Sequence, residues 1–213
     1  MSAPTGYDDP RLAAAETQPI PLVPPAGAPG APAAPVRRTR GTLLIALTLG
    51  IAVTVGLGVY GRFHEPSAVA ISVAGFSSGL AVKAWLGSVA FLLALVQLVT
   101  ALRMYGRLGR AATGVWSGRV HRWSGRLAVL VTVPVAVHCL YALGFQDSTP
   151  RVLAHSALGC FFYGAFAAKM LLLGRDGAPR WALPVFGGLV FSGLTAIWLT
   201  SSLWFFGTSG LTF

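Results

Sequence analysis

Charge is scarce in this chain. Of its 213 residues only 10% are Asp, Glu, Lys or Arg, against 54% that are hydrophobic, and a soluble domain of this length needs far more charged surface. Acidic residues number only six with Asp and Glu taken together. None lies inside a long apolar run, which argues against a transporter built on intramembrane carboxylates. There are two cysteines, Cys139 and Cys160. They form no CxxC pair, so a secreted disulfide framework is excluded. A phosphate-cradling glycine motif is also missing, which removes support for a nucleotide site. The first residues lack a basic start and an apolar centre, so they do not read as a signal peptide. No internal repeat is found.

What remains is long and apolar. Five uncharged runs stand out: Thr42 to Tyr60, Ala84 to Leu102, Leu127 to Phe145, Val152 to Ala168, and Leu183 to Phe206. A helix needs about 20 apolar residues to cross a hydrocarbon core of roughly 30 Å. The fourth run is short, but Lys169 can carry its ammonium to the interface and let the helix continue to Leu173. Lipid offers no partner for unpaired backbone groups, so the runs are read as helices. The expected fold is an all-α membrane protein, a five-transmembrane-helix bundle with spans at about 42–60, 84–102, 127–145, 152–173 and 183–206.

The net charge of +10 is of the sign that nucleic acid attracts, but its distribution points to a bilayer. With the N-terminus inside and the C-terminus outside, the inner side receives Arg11, Arg37, Arg38, Arg40, Arg103, Arg107, Arg110, Arg119, Arg122, Arg126, Lys169, Arg175 and Arg180. The outer side receives only Arg62, Lys83 and Arg151. That asymmetry is the positive-inside pattern, and it sets the expected location as a bacterial plasma membrane crossed several times. Pro66 to Val82 competes for a sixth span. Inserting it would put the Arg-rich stretch from Arg103 to Arg126 outside, and its Ser, Gly and Pro content suits an outer loop or a surface-lying helix. Residues 1–36 form a Pro- and Ala-rich tail with few large apolar residues, read as disordered and cytoplasmic. Residues 37–213 form the five-helix domain. Arg37, Arg38 and Arg40 read as a signal-anchor flank, with a twin-arginine export signal as the alternative.

The basic stretch from Arg103 to Arg126, with Trp116 and Trp123 interleaved, reads as a membrane-surface segment holding anionic headgroups. Trp198 and Trp204, near the end of the last span, read as an aromatic belt. On the fourth run Ser156, Cys160, Gly164 and Ala168 recur every four residues, a small-residue stripe suited to close helix packing.

Four histidines occur: His64, His121, His138 and His155. His64 lies in the outer loop. His138 and His155 lie within spans, where an ionisable group is costly and marks a functional candidate; the plain alternative is a neutral imidazole bonded to the next helix. Counting at 1.5 Å per residue puts His138 about 10 Å, and His155 about 5 Å, below the outer surface on consecutive antiparallel helices. Two imidazoles facing one cavity in a helix bundle suit a haem iron. Gly159, one turn from His155, leaves room for a flat macrocycle, while Pro134 frees a backbone bond and can re-aim His138. A bare-metal site using His138, Cys139 and His155 is a further alternative, although Cys139 points about 100° from His138 on an α-helix. His121 is about 25 Å from His138 on one helix and cannot share its metal; it is assigned an interfacial role.

The helix start His121-Arg122-Trp123-Ser124-Gly125-Arg126, followed by His138, resembles the b-type cytochrome membrane domains of ferric and ascorbate reductases. The stretch from His121 through His155 carries this resemblance. The order of features also resembles a family of small actinobacterial membrane proteins without an assigned function. The reductase resemblance implies two haems held by two histidines on each of two helices. This chain departs from it, because the second helix carries only His155 and the level of His121 offers only Lys169. The expectation is therefore a membrane electron-transfer protein with one b-type haem between His138 and His155 near the outer face. Its partners would be the lipid bilayer and a quinol or redox partner protein, with no nucleic acid. Any catalysis would be as part of a membrane oxidoreductase. The rival reading is a non-redox accessory or scaffold subunit of a membrane complex.

Overall fold

The computed structural model describes residues 36–68, 75–108 and 115–213. Helix α1 runs Val36–Phe63, α2 Gly79–Met104, α3 Val115–Val137, α4 Pro150–Leu173, α5 Ala182–Trp198 and α6 Trp204–Ser209. Two π-helical segments interrupt the pattern: π1, His138–Leu143, continues α3, and π2, Leu199–Leu203, joins α5 to α6. Among the described residues there is no strand, and five helices are long and apolar enough to cross a membrane. The tail assigned to residues 1–36 lies outside the described residues except for Val36, which opens α1; so do residues 69–74 of the candidate sixth span and 109–114 of the basic stretch.

The third span is longer than its apolar run. It covers Trp116–Leu143, so Arg119, His121, Arg122 and Arg126 belong to its first turns rather than to a loop. Hydropathy marks only the part of a helix that can sit in hydrocarbon, and basic residues at a helix end reach headgroups without ending the helix. The fifth span likewise continues through π2 to Ser209.

Local chemistry sets the boundaries. The Ser78 side chain accepts from the Ala81 N–H at 3.2 Å and starts α2. Thr149 does the same for Val152 at 3.3 Å, with Pro150 in the first turn, and starts α4; this is the usual N-cap device. At the end of π1 the last carbonyls need partners. The chain after α1 supplies them: the N–H groups of Ser67 and Ala68 donate to the carbonyls of Tyr141 and Ala142 at 3.3 and 3.2 Å. Gly144 turns the chain there with φ of 71°. A side chain at that position would also press on the Gly61 carbonyl.

Small residues fill much of the interior, and many large aliphatic side chains face outward. Ala46, Ala81, Ala90 and Ala182 are fully buried, whereas Leu44, Ile51, Leu92 and Leu130 are exposed. In lipid, apolar contact with solvent costs nothing, so helices associate where small side chains let backbones approach. The stripe on α4 does this against α1. Gly164 faces Gly50 and Thr54, Ala168 faces Gly50, and Cys160 faces Gly58. Helix α1 therefore packs on α4, α2 on α3, and α4 on α5, while α3 and α4, though joined by a short loop, are not a closely packed pair.

Candidate functional site

A cavity of about 300 Å³ fills the space that this arrangement leaves near the α3–α4 loop. Thr132, Val135, Ala136 and Cys139 wall it from α3 and π1, and His155, Gly159, Phe162 and Tyr163 from α4. Lys83 and Gly87 come from α2, and Trp198, Thr200, Ser201 and Trp204 from the α5–π2–α6 segment. Tyr163 bridges the gap by donating to Thr132 Oγ1 at 2.9 Å. Trp198 is held by a bond from its indole nitrogen to Ser88 Oγ at 3.0 Å and by stacking on Phe91 at 4.6 Å. The volume is at the lower end of the range for small-molecule sites, and the composition, apolar with a few convergent polar groups, is typical of them.

His155 is a polar group of this wall with a partner on the next segment. Its Nδ1 lies 3.2 Å from Thr200 Oγ1. That hydroxyl has one proton, which goes back to the carbonyls of Ala196 and Ile197 at 2.8 and 3.0 Å. With the hydroxyl proton on those carbonyls the oxygen accepts from Nδ1, an arrangement that leaves the lone pair on Nε2. A partner of this kind on the distal nitrogen fixes the orientation of a ligating imidazole. His121 repeats the device at the other end of the bundle. Its Nδ1 meets Thr100 Oγ1 at 2.9 Å, and Thr100 donates to the carbonyls of Val96 and Gln97 at 2.7 and 3.0 Å. The Gln97 amide also donates to the His121 carbonyl and to Ser124 Oγ, and Lys169 stands within electrostatic reach of the His121 ring.

The structure does not bring His138 and His155 to one cavity. His138 is buried in a separate recess of about 30 Å³, with Gly79, Val82, Lys83, Leu86, Pro134 and Val135. Two physical causes operate. The small-residue stripe commits α4 to α1, which keeps it from closing on α3. The π segment that begins at His138 widens the turn after Pro134, and the cavity wall there is Val135, Ala136 and Cys139. His138, Cys139 and His155 are not gathered either; among the described residues no three His, Cys, Asp or Glu side chains form a group that could hold a bare metal ion. Gly159 does line the cavity, and a Cβ there would meet nothing within 4 Å. His64 is sandwiched between Tyr60 and Tyr141 with ring centroids 4.9 Å away on each side.

Sequence reasoning passed over four contributors. Lys83 and Arg151 were counted as loop cations and Trp204 as belt, yet all three line the cavity. Arg151 donates from Nη1 to the Thr200 carbonyl at 2.7 Å, and its guanidinium lies 3.8 Å over the Trp204 ring. That carbonyl belongs to π2, where the ladder changes and the Trp204 N–H goes to the Ser201 carbonyl. Thr200 itself gave no signal. The spacing of Arg151 and His155, four residues apart on one helix, was the available clue.

Fold and site together define an all-helical membrane protein with a ligand-sized cavity at one end of the bundle. The chain belongs to DUF6529, a family of unknown function, which matches residues 43–213. This agrees with the resemblance to a membrane family without an assigned function, and it lends nothing to the resemblance to reductase cytochrome domains. No curated protein and no solved structure matches the chain.

Proposed function

We propose that this protein is a membrane electron-transfer protein holding one b-type haem in the cavity, with His155 as the ligand that the cavity presents. The observation that carries the reading is the place of His155 in the cavity wall. Its Nδ1 lies 3.2 Å from Thr200 Oγ1, and with Nδ1 as the donor there Nε2 is the lone-pair nitrogen of a side chain lining a ligand-sized cavity. Aromatic and small walls, among them Trp198, Phe162 and Gly159, suit a flat apolar ring. Haem supplies one-electron chemistry when bound; the protein's part is to hold it, set its depth and exclude water. On the positive-inside distribution the N-terminus is cytoplasmic, the cavity lies in the outer half of a bacterial plasma membrane, and the electron donor is a quinol or a redox partner protein.

The test is the reduced-minus-oxidised spectrum of protein expressed with adequate haem, in the wild type and in His155→Ala and His138→Ala. The expected result is loss of the haem bands in His155→Ala with insertion intact. The spectrum of His138→Ala is expected to match the wild type, because His138 lies in a separate recess. A wild-type spectrum in His155→Ala overturns the assignment. A colourless wild type supports the accessory-subunit alternative.

A further inference from the structure

Lys83 and Arg151 both line the cavity, and no carboxylate lines it with them. Three acidic residues fall among the described ones, Glu65, Asp147 and Asp176, and the one ion pair there joins Arg62 to Asp147. Two basic groups thus face an apolar space without a counter-ion, in a setting where an uncompensated charge is costly. Arg151 is also placed rather than loose. One Nη1 donor of Arg151 is fixed on the Thr200 carbonyl at 2.7 Å and its plane on Trp204 at 3.8 Å. A guanidinium has five donors, so most remain for a ligand in a fixed plane. Lys83, in the second turn of α2, lines both the cavity and the recess that holds His138.

We infer that Lys83 and Arg151 receive the two carboxylates of the ligand, an inference that rests on the haem reading of the cavity. A ligand held this way would have its acidic edge at Lys83 and Arg151 and its apolar part against Tyr163 and Phe162, which also line the cavity. Arg151 offers a planar fork to one carboxylate, and Lys83 a point charge to the other. Arg151 precedes His155 by one turn on the same face of α4, so one helix holds both the carboxylate and the iron.

The experiment uses the full chain in nanodiscs of zwitterionic lipid and reads quenching of tryptophan fluorescence, since Trp198 and Trp204 line the cavity. The probes are iron-free protoporphyrin IX, its dimethyl ester, and palmitate. Without iron, His155 cannot contribute as a ligand. A charge-assisted hydrogen bond is worth about tenfold or more in affinity. The wild type is therefore expected to bind the free acid at least tenfold tighter than the ester. That preference should shrink about tenfold in Lys83→Gln and in Arg151→Gln, with Arg151→Lys intermediate. Comparing acid with ester within each variant removes any general effect on folding. Equal affinity for acid and ester in the wild type overturns the inference, and if haem still binds through His155 the haem reading survives alone. Palmitate binding that depends on Lys83 and Arg151, with no porphyrin binding, makes this a lipid-acid site and overturns both. Failure of haem and porphyrin alike to bind also overturns both.

Discussion

Replacing Gly164 with alanine adds one methyl group where α4 has no room for it. An ideal Cβ there would overlap Thr54 Oγ1 and the Gly50 carbonyl oxygen and come within 3.1 Å of Thr54 Cβ. The Thr54 hydroxyl can turn away, but it then gives up its bond to the Gly50 carbonyl, 2.9 Å long, worth about 1 kcal/mol net. The carbonyl is backbone and cannot turn, so α1 and α4 must move apart. Overpacking of this kind costs about 1–3 kcal/mol. Alanine returns roughly 0.5–1 kcal/mol through its better helix propensity. The steric cost exceeds that gain, leaving a net loss of about 1–3 kcal/mol. Gly159, on the same helix, is the control. Its Cβ would meet nothing within 4 Å, so Gly159→Ala should be neutral or stabilise by up to about 1 kcal/mol. Unfolding of both variants and the wild type, followed by circular dichroism during titration with a denaturing detergent, measures the difference. If Gly164→Ala is as stable as the wild type, close α1–α4 contact does not hold the bundle as argued.

Three further outcomes are expected. Single cysteines at Ser117 and Ser148, in a background lacking Cys139 and Cys160, should react oppositely with an impermeant thiol reagent on intact cells; labelling of position 117 from outside would reverse the proposed orientation. Thr200→Val removes the acceptor for the His155 Nδ1–H and should weaken haem binding about 10–100-fold in a haem titration, whereas Thr100→Val, beside His121, should leave it unchanged. His121→Ala should leave the haem-to-protein ratio at the wild-type value, and a loss of half the haem would show a second site.

Five spanning helices were readable from residue types alone, because hydrocarbon imposes one simple condition: a run of about 20 residues without charge, with its backbone bonds closed internally. The stripe at Ser156, Cys160, Gly164 and Ala168 was readable for the same kind of reason, since a four-residue repeat of small side chains presents one close-packing face. Which helix meets that face is not a local property. Only the tertiary structure matched it to Gly50 and Thr54 of α1, and that choice keeps α4 off α3 and opens the cavity. The direction of His138 was equally hidden, because counting residues presumes 3.6 per turn, and the chain changes to a π turn at that residue. The sequence could mark His155 as a costly residue inside a span. Its partner is Thr200, 45 residues away, and the guanidinium one turn from it is held by a carbonyl of the second π segment. Composition and periodicity decide what enters the bilayer; side-chain fit between distant segments decides which faces meet and what space remains between them.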